Sequence, residues 1–345
     1  MHRLTGAPLA PRTTLRLGGP AAELVEVDTA EDLVEVVGAA DRQGRRLLVL
    51  GGGSNLVVAD GGFAGQVSAV RTRGVEADTD PCGGATVRVA AGEPWDEFVA
   101  SAVGEGWVGV EALSGIPGLV GATPIQNVGA YGQEVAETIA SVRVWDRREA
   151  RIRTLSAADC GFGYRSSRFK SDPEAFVVLE VTFRFRLGDL GAPVRYAELA
   201  RTLGVEVGER VPAEDVREAV LGLRRGKGMV LDPDDHDTWS AGSFFTNPVV
   251  EAEVADRLGP QAPGWPQPDG RVKVSAAWLI GRAGFEKGAR RGNVGLSTKH
   301  ALALTNRGDG TTTELLALAR EIRDAVREHF GVELVNEPVT VGCRL

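Results

Sequence analysis

Apolar and polar residues alternate in several short segments of the chain, and each such segment predicts a β-strand. The clearest segment is 179–187, where the odd positions are Leu, Val, Phe, Phe and Leu and the even positions are Glu, Thr, Arg and Arg. This alternation predicts a sheet strand with one solvated face. Further strands are predicted over residues 22–27, 46–50, 56–58, 85–91, 141–145 and 299–304, and a last strand closes the chain.

Apolar residues at helical spacing predict the helices. After a cap at Asp28 or Thr29, an apolar face repeats at i, i+3, i+4 and i+7 until Gly44 ends the helix. Helices are also predicted over 94–103, with Pro94 in the first turn, and over 212–223, whereas the polar segment 224–240 is predicted to be a loop. Strands and helices together indicate an α+β fold. The apolar faces of the first and last helices are Leu33, Val36, Val37 and Ala40, and Leu315, Leu318, Ala319, Ile322 and Val326.

Composition narrows the class of protein. The 345 residues are enough for two or three domains, and 43% hydrophobic with 25% charged residues is typical of globular proteins. A net charge of −8 gives no general attraction to nucleic acid or to anionic membranes. The three cysteines are too scattered for a disulfide framework or a CxxC site, and no metal site is predicted. With no predicted signal peptide or membrane span, the expected location is the cytoplasm.

The segment 114–132, SGIPGLVGATPIQNVGAYG, is the strongest candidate for a binding loop. Its glycines allow the main chain to approach a ligand closely, and exposed N–H groups in such a loop form a concavity suited to pyrophosphate. Gln126 and Asn127 add amide groups, and Tyr131 adds an aromatic face. A flexible surface loop is the alternative, but regularly placed apolar residues argue against it.

A second glycine-rich segment, Gly51-Gly52-Gly53-Ser54-Asn55, follows the predicted strand 46–50. It is not a P-loop, because no lysine follows the glycines, and it is not a Rossmann turn, because Leu56 stands where the third glycine would be. A plain turn remains the alternative. Two such segments could together hold the two ends of a dinucleotide.

Three further clusters could take part in chemistry. FGYRSSRFK, residues 162–170, places cations among aromatic residues and could bind a carboxylate at two points, or could form an interdomain salt bridge. Ser243 lies between Ala241-Gly242 and Phe244-Phe245, and it is either a functional hydroxyl or a capping serine. Glu337 follows Leu334 in the C-terminal strand and is either functional or exposed at a strand edge.

Taken together, GGGSNL, the 114–132 segment, FGYRSSRFK, AGSFFTNP and the C-terminal Glu-Pro resemble the UDP-N-acetylenolpyruvoylglucosamine reductase family, over residues 14–342. The resemblance implies reduction of UDP-N-acetylglucosamine enolpyruvate to UDP-N-acetylmuramate by NADPH through non-covalent FAD, in peptidoglycan precursor synthesis. It implies no protein partner.

The resemblance also implies an α+β fold of the vanillyl-alcohol-oxidase FAD-binding type. The FAD-binding region is expected over residues 1–205, with subdomains 1–72 and 73–205. A substrate-binding domain is expected over 206–331, and the C-terminal strand 332–345 is expected to return to the first subdomain.

By similarity, Ser243 donates a proton, and Arg165 and Glu337 act on the substrate's carboxylate and enol. Tyr131, Tyr164, Tyr196, Lys227, Asn247 and Lys273 are expected to contact substrate; Tyr196 and the segment 261–273 resemble the branch that closes a tyrosine-bearing loop over UDP. The residues expected to hold FAD are Gly51, Gly52, Gly53, Ser54, Asn55, Leu56, Ser114, Gly115, Pro117, Gly118, Gly121, Ala122, Ile125, Gln126, Asn127, Gly129 and Ala130.

The chain departs from the family pattern at two places. The connection between Lys227 and Ser243 is longer and more acidic than is typical, and the order Asn336-Glu337-Pro338 leaves Glu333 as a rival for the catalytic carboxylate. Two alternative functions stay open: an FAD-dependent oxidase or dehydrogenase of a sugar or hydroxy acid, and a nucleotide-sugar sensor without turnover.

Overall fold

Two compact units make up the chain, which is described over residues 1–345 by a computed structural model. The first unit comprises residues 1–7, 21–52 and 64–225, and the second comprises 8–20, 53–63 and 226–345. Residues 206–225 therefore belong with the first unit, beyond the boundary expected at residue 205. The assignment of functional domains to these segments stays a prediction.

Runs of consecutive strands, such as residues 47–90 and 107–156, are separated by helices, as expected for an α+β protein. The helices are α1 (Ala30–Arg42), α2 (Trp95–Gly104), α3 (Arg168–Ser171), α4 (Ala197–Leu203), α5 (Ala213–Gly226), α6 (Ala252–Leu258), α7 (Ala276–Arg282) and α8 (Thr312–Phe330). The strands are β1 (His2–Pro8), β2 (Pro20–Val27), β3 (Leu47–Leu50), β4 (Leu56–Val58), β5 (Phe63–Val70), β6 (Val75–Asp80), β7 (Gly84–Ala90), β8 (Trp107–Val108), β9 (Gly129–Ala130), β10 (Gln133–Glu134), β11 (Ile139–Asp146), β12 (Arg151–Ser156), β13 (Phe176–Leu187), β14 (Val249–Val250), β15 (Gly264–Pro266), β16 (Val272–Val274), β17 (Arg290–Arg291), β18 (Val294–Leu296), β19 (Leu304–Asn306) and β20 (Val339–Val341).

The main sheet of the first unit has the order β12-β11-β13-β7-β6, with β8 joined to β13. Its central strand, β13, runs antiparallel to both β11 and β7. The predicted alternation is confirmed, because Phe183 and Phe185 are buried while Arg184 and Arg186 are exposed. Phe98 of α2 stacks on Phe183, so the helix covers the apolar face of the sheet.

A second sheet of the first unit has the order β1-β2-β5-β3. Helix α1 connects β2 to β3, and the Thr29 side chain caps it by accepting a hydrogen bond from the Asp32 amide. The predicted helical face is confirmed, since all four of its apolar residues are buried. In α2, by contrast, Pro94 is the cap residue and lies just before the first turn, not within it.

The second unit is built around α8. Thr311 and Glu314 form a capping box at its N-terminus, and Asp60 accepts hydrogen bonds from the amides of Thr312 and Thr313. The predicted stripe from Leu315 to Val326 is buried. In the same unit, β20 pairs in parallel with β4, so the end of the chain returns to residues 56–58.

The predicted strand over 299–304 is wrong. The Ser297 hydroxyl accepts hydrogen bonds from the amides of Lys299 and His300, and the Ser297 amide donates to the carbonyl of Ala303. These bonds close a turn, because a serine hydroxyl competes with extended structure for nearby amides. The strand in this region is β19, which begins at Leu304.

The acidic segment 228–240 is tied to the second unit by a buried carboxylate. Asp237 accepts hydrogen bonds from the amide and the hydroxyl of Thr298, and its Oδ1 lies 2.7 Å from Nη2 of Arg307. Asp237 and Arg307 are both more than nine-tenths buried in their side chains. Burial alone would raise the pKa of Asp237, but the bonds from Thr298 and Arg307 outweigh burial and lower it.

We expect Asp237→Asn to lower the free energy of unfolding at pH 7 by about 2–4 kcal/mol, because the substitution leaves the Arg307 charge buried without its partner. The folded pKa is depressed, so this stabilisation is present above pH about 4 and is lost as the pH falls through the folded pKa. Urea unfolding should therefore show that the difference in free energy of unfolding between the variant and the unsubstituted protein becomes smaller towards pH 3. The control is Asp234→Asn, which removes an exposed carboxylate of the same segment; an equal effect of both variants would contradict the prediction.

Candidate active site

The two glycine-rich segments meet in the first unit. A Cβ atom on Gly52 would lie 2.7 Å from the Cα of Gly118, a distance that real Cβ atoms do not reach. A Cβ on Gly121 would lie 2.5 Å from the Cβ of Ala91, and Gly118 itself has φ +127°, which favours glycine. The main chains of the two segments are therefore in direct contact, as the pairing of two dinucleotide-holding turns requires.

A carboxylate outside the segment 114–132 binds the amide of the first glycine in that segment. Asp96 of α2 accepts a hydrogen bond of 2.6 Å from the amide of Gly115, and it binds both terminal nitrogens of Arg217 at 2.7 and 3.1 Å. Burial would raise the pKa of Asp96, but the bonds from Arg217 and Gly115 lower it below its ordinary value. Asp96 therefore remains a charged acceptor, and it fixes the loop where it enters the glycine-rich segment.

The end of this segment is a hairpin. β9 and β10 pair directly, and their two-residue turn consists of Tyr131 and Gly132, with φ +48° and +84°. Left-handed values at both turn positions are typical of a type I′ turn, in which a tyrosine is uncommon. The turn places Tyr131 at the tip of the hairpin.

A second tight turn carries Arg165. The main chains of Gly163 and Ser166 exchange two hydrogen bonds, and Arg165 between them has φ +50°. Its Nη2 donates to the carbonyl of Gly129 at 2.8 Å, and its guanidinium lies over the ring of Tyr164, 5.4 Å from the ring centroid. Arg165 is thereby fixed against the hairpin strand β9.

Asn127 joins the two turns from the other side. Its Nδ2 donates to Glu134 at 2.7 Å and to the carbonyl of Gly163 at 3.1 Å, while its Oδ1 accepts from the amide of Ala136. The side-chain amide of Asn127 therefore positions Glu134 and the main chain of Gly163 and Ala136, and binding of the cofactor by Asn127 stays a prediction.

Tyr131 and Tyr196 lie together in the first unit. Their rings meet edge to face with centroids 5.5 Å apart. The segment carrying Tyr196 is attached near this contact by Arg195, whose Nη1 lies 2.9 Å from both carboxylate oxygens of Glu137. Two of the predicted substrate contacts therefore form one aromatic pair.

The remainder of the glycine-rich segment 51–55, from Gly53 onwards, belongs to the second unit. Gly53 has φ +62°, and a Cβ there would lie 2.0 Å from the carbonyl oxygen of Arg12, so glycine is required. The Ser54 carbonyl accepts from the hydroxyl of Thr14, and the Asn55 carbonyl accepts from the amide of Val339. Leu56 then begins β4.

The segments that carry Ser243 and Glu337 pair through their main chains in the second unit. The amide of Glu337 donates to the carbonyl of Phe244 at 2.8 Å, and the amide of Thr246 donates to the carbonyl of Val335 at 3.0 Å. The two segments thus run antiparallel, with Glu337 opposite the residue that follows Ser243. Glu333 lies elsewhere, exposed and within 4 Å of Arg323 and Arg327.

Asn247 and Lys273 are neighbours in the same unit. Lys273 is in β16, which pairs with β14, and the amide of Val274 donates to the carbonyl of Pro248. The side-chain oxygen of Asn247 accepts from the amide of Ala276 at the start of α7. Asn247 therefore caps α7 with its oxygen, and its amide nitrogen is the group suited to a ligand.

The sequence analysis did not single out three polar residues that position this site. They are Asp96, which is half-buried, and Glu111 and Gln133, which are buried. Glu111 offered one signal, because a carboxylate in the apolar run VGVEAL is unusual unless its oxygens are hydrogen-bonded.

The first unit fits a dinucleotide cofactor. The contact between Gly52 and Gly118 leaves main chain, without side chains, at the junction of the two segments, and this is the kind of surface that binds a pyrophosphate.

No helix of the structure is both long and apolar enough to cross a membrane.

Comparisons with known proteins agree with this arrangement. The family model of an FAD binding domain matches residues 21–156, and the model of the UDP-N-acetylenolpyruvoylglucosamine reductase C-terminal domain matches residues 232–341. Among solved structures, the chain resembles UDP-N-acetylenolpyruvylglucosamine reductase from Thermus caldophilus, with a TM-score of 0.64, 27% identity, and coverage of 99% of this chain and 98% of the other.

Curated relatives extend over the whole chain. The UDP-N-acetylenolpyruvoylglucosamine reductase of Thermobifida fusca is 58% identical, with 98% of each chain covered. That of Cutibacterium acnes is 57% identical over 98% of this chain and 90% of its own length. Identity at this level along the full chain shows that the protein belongs to the UDP-N-acetylenolpyruvoylglucosamine reductase family, and that it is an FAD-binding oxidoreductase with the α+β fold of the vanillyl-alcohol-oxidase type.

Proposed function

We propose that the protein reduces UDP-N-acetylglucosamine enolpyruvate to UDP-N-acetylmuramate with NADPH as the electron donor, a step in peptidoglycan precursor synthesis. The observation that supports this proposal most is the main-chain pairing of Glu337 with Phe244, because it joins the segment of this carboxylate to the segment of Ser243, the serine that the family resemblance assigns to proton donation. The intact glycine-rich segments support FAD as the cofactor.

FAD, when bound, would supply the redox chemistry that links NADPH to hydride addition at the vinyl carbon distant from the carboxylate. We assign its binding to the main chain of residues 51–56 and 114–130. Within these segments, Gly52 and Gly121 allow close contacts with Gly118 and Ala91, and Asp96 holds Gly115 in place.

Arg165 is assigned to the substrate carboxylate. A guanidinium carries five N–H donors in a planar fork, so a hydrogen bond to the carbonyl of Gly129 is compatible with two-point binding of a carboxylate. Because the turn at Gly163 and Ser166 fixes Arg165 before substrate binds, its charge is preorganised. Negative charge that develops towards the carboxylate in the transition state would be stabilised most by such a fixed cation.

Ser243 is assigned as the proton donor. An alcohol is a weak acid, so it can protonate only a strongly basic centre, such as the carbanion-like carbon left after hydride addition. Its neighbours Phe244 and Phe245 are buried and form an edge-to-face pair, which fixes the main chain that carries the hydroxyl. Glu337 is assigned to the enol form of the substrate, on the opposite strand of the same pairing.

The remaining assignments concern substrate binding. Tyr131 and Tyr196 offer an aromatic pair suited to the uracil or sugar faces, and Lys273 and Asn247 offer a cation and an amide suited to the diphosphate. Tyr164 and Lys227 complete the proposed set.

Anaerobic mixing with NADPH should bleach the yellow flavin, and adding UDP-N-acetylglucosamine enolpyruvate should restore the colour. A protein whose flavin is reduced by a sugar or hydroxy acid but not by NADPH would instead be an oxidase or dehydrogenase of that substrate. A protein that binds the UDP-linked substrate and never reoxidises its flavin with it would be a sensor. Either result would contradict the proposed reaction.

We expect Gly52→Ala to weaken FAD binding by about tenfold, because the added methyl group forces the two glycine-rich main chains apart. The matched control is Gly51→Ala, whose Cβ would meet only Leu119 and Ala122, at 3.8 and 3.9 Å. Titration of the apoprotein with FAD, followed by flavin fluorescence, measures both affinities. Equal loss in the two variants would refute the role assigned to the contact with Gly118.

We expect Ser243→Ala to leave reduction of the flavin by NADPH nearly intact and to slow reoxidation by the UDP-linked substrate by about 10²-fold or more, because only the second half-reaction needs its proton. Stopped-flow absorbance of each half-reaction separates the two rates. Thr246→Ala serves as the control, since it removes a nearby hydroxyl on the same segment. Equal slowing of both half-reactions would remove the role assigned to Ser243.

Glu337→Gln and Glu333→Gln distinguish the two candidate carboxylates. We expect Glu337→Gln to lower kcat by about 10²-fold or more with little change in flavin reduction, because the carboxylate acts on the substrate. Glu333→Gln should change kcat little, because Glu333 forms only exposed ion pairs on α8 and its flank. Steady-state kinetics would show the reverse order if Glu333 were the catalytic group.

A further inference from the structure

Glu111 is a fully buried carboxylate at which three parts of the first unit meet. It lies in a short 3-10 helix directly before Ser114, and its side chain has no exposed surface. Its Oε2 accepts a hydrogen bond of 2.7 Å from the amide of Gly109, and its Oε1 accepts from Nε2 of Gln133 at 2.9 Å and from the amide of Ala192.

Two of these three bonds lead to a proposed ligand-binding segment. Gln133 directly follows the turn that carries Tyr131, and Ala192 precedes Tyr196 on the segment that leads into α4. On its own main chain, the carbonyl of Glu111 accepts from the hydroxyl of Ser114 at 2.6 Å, at the entry to the glycine-rich segment 114–132. The carboxylate of Glu111 thus connects the segments of both tyrosines, and its main chain connects them to the segment assigned to FAD.

The packing around the carboxylate shows that it requires this residue type. Three N–H groups converge on its two oxygens, and a carboxylate offers about four acceptor sites and no hydrogen atoms. A glutamine of the same shape would point its own NH₂ group at one of these donors. Gln133 is held in turn because its Oε1 accepts from the amide of Ala112, and a Cβ on Gly191 would come within 3.0 Å of the Glu111 carboxylate.

We propose that Glu111 is a positioning residue for the UDP-linked substrate: by anchoring Ala192 and Gln133, it sets where Tyr196 and Tyr131 meet. This inference rests on the proposed function, because it is that function which assigns the two tyrosines to the substrate. Glu111 acts through the main chain of Ala192 on one side and through Gln133 of the hairpin on the other.

The test is Glu111→Gln in the FAD-loaded protein, with UDP as the binding probe and the UDP-linked enolpyruvyl compound as the substrate. We expect Kd for UDP and KM for the substrate to rise by about tenfold, with kcat changed far less. Reduction of the flavin by NADPH should proceed at nearly its original rate. A variant that is merely less stable would lose active protein and therefore kcat, with KM unchanged, and that result would overturn the proposal.

Hydrogen exchange gives a measurement that needs no ligand. In Glu111→Gln, the peptide covering residues 188–196 should exchange its amide hydrogens faster than in the unsubstituted protein, because the Ala192 amide loses its acceptor. Faster exchange with unchanged UDP affinity would overturn the positioning role. If the unsubstituted protein failed to bind UDP or to turn over the substrate, the proposed function would be contradicted. Hydrogen exchange of the peptide 188–196 would still show whether Glu111 anchors Ala192.

A second variant covers the case in which Glu111→Gln does not fold. Gln133→Met keeps the length of the side chain and removes one of the three donors, without adding a new donor against the carboxylate. We expect Kd for UDP to rise by about threefold. The control is Leu187→Ala, a substitution at an exposed position at the end of β13. It shows how far a substitution away from Glu111 changes the measured Kd for UDP. A folded Gln133→Met protein with the UDP affinity of the control would contradict the proposal.

Discussion

The glycine-rich segment 114–132 of the first unit depends on hydrogen-bond acceptors that lie outside it. Glycine allows the close approach of Gly52 and Gly118, but it brings no side chain that could fix the loop. Asp96 holds the amide of Gly115, and Glu111 holds Ser114 through its carbonyl. Because a buried amide or carboxylate needs hydrogen-bond partners, these contacts specify one conformation of a segment whose composition alone would allow many.

The same constraint explains two unusual main-chain conformations. Tyr131 and Arg165 both adopt left-handed φ values that cost energy for residues with a side chain. Each lies at the tip of a tight turn, and the turns are tied together by Arg165 to the carbonyl of Gly129 and by Asn127 to the carbonyl of Gly163. Strain at Tyr131 and Arg165 thus occurs at residues for which a functional role is proposed, and cross-linked main chain maintains it.

In the second unit, strand pairing does the positioning. Residues far apart in the chain become neighbours because Phe245 pairs with Asn336, and because β20 pairs with β4. A shift of the pairing by one residue would turn every side chain of the segment to the opposite face. The register therefore separates Glu337, beside the segment of Ser243, from Glu333, which lies exposed near the arginines of α8.

Local patterns determined much of the fold. The alternation in β13 and the apolar stripes of α1 and α8 were readable from the chain, because their periods of two and 3.6 residues follow directly from strand and helix geometry. The segment 299–304 shows the limit of this approach. Its alternation was real, but the Ser297 hydroxyl accepted the amides that a strand would have paired.

The sequence by itself determined the α+β class, the two glycine-rich segments and the family, because these depend on residue types and their order along the chain. Only the tertiary structure decided that Asn127 uses its amide to position main chain, that Glu337 pairs beside Ser243, and that Glu111 joins three segments. Such roles depend on which distant donors converge on an acceptor. Hydrogen bonds between segments far apart in the chain leave no periodic trace in the sequence, so their partners become known only when the chain is folded.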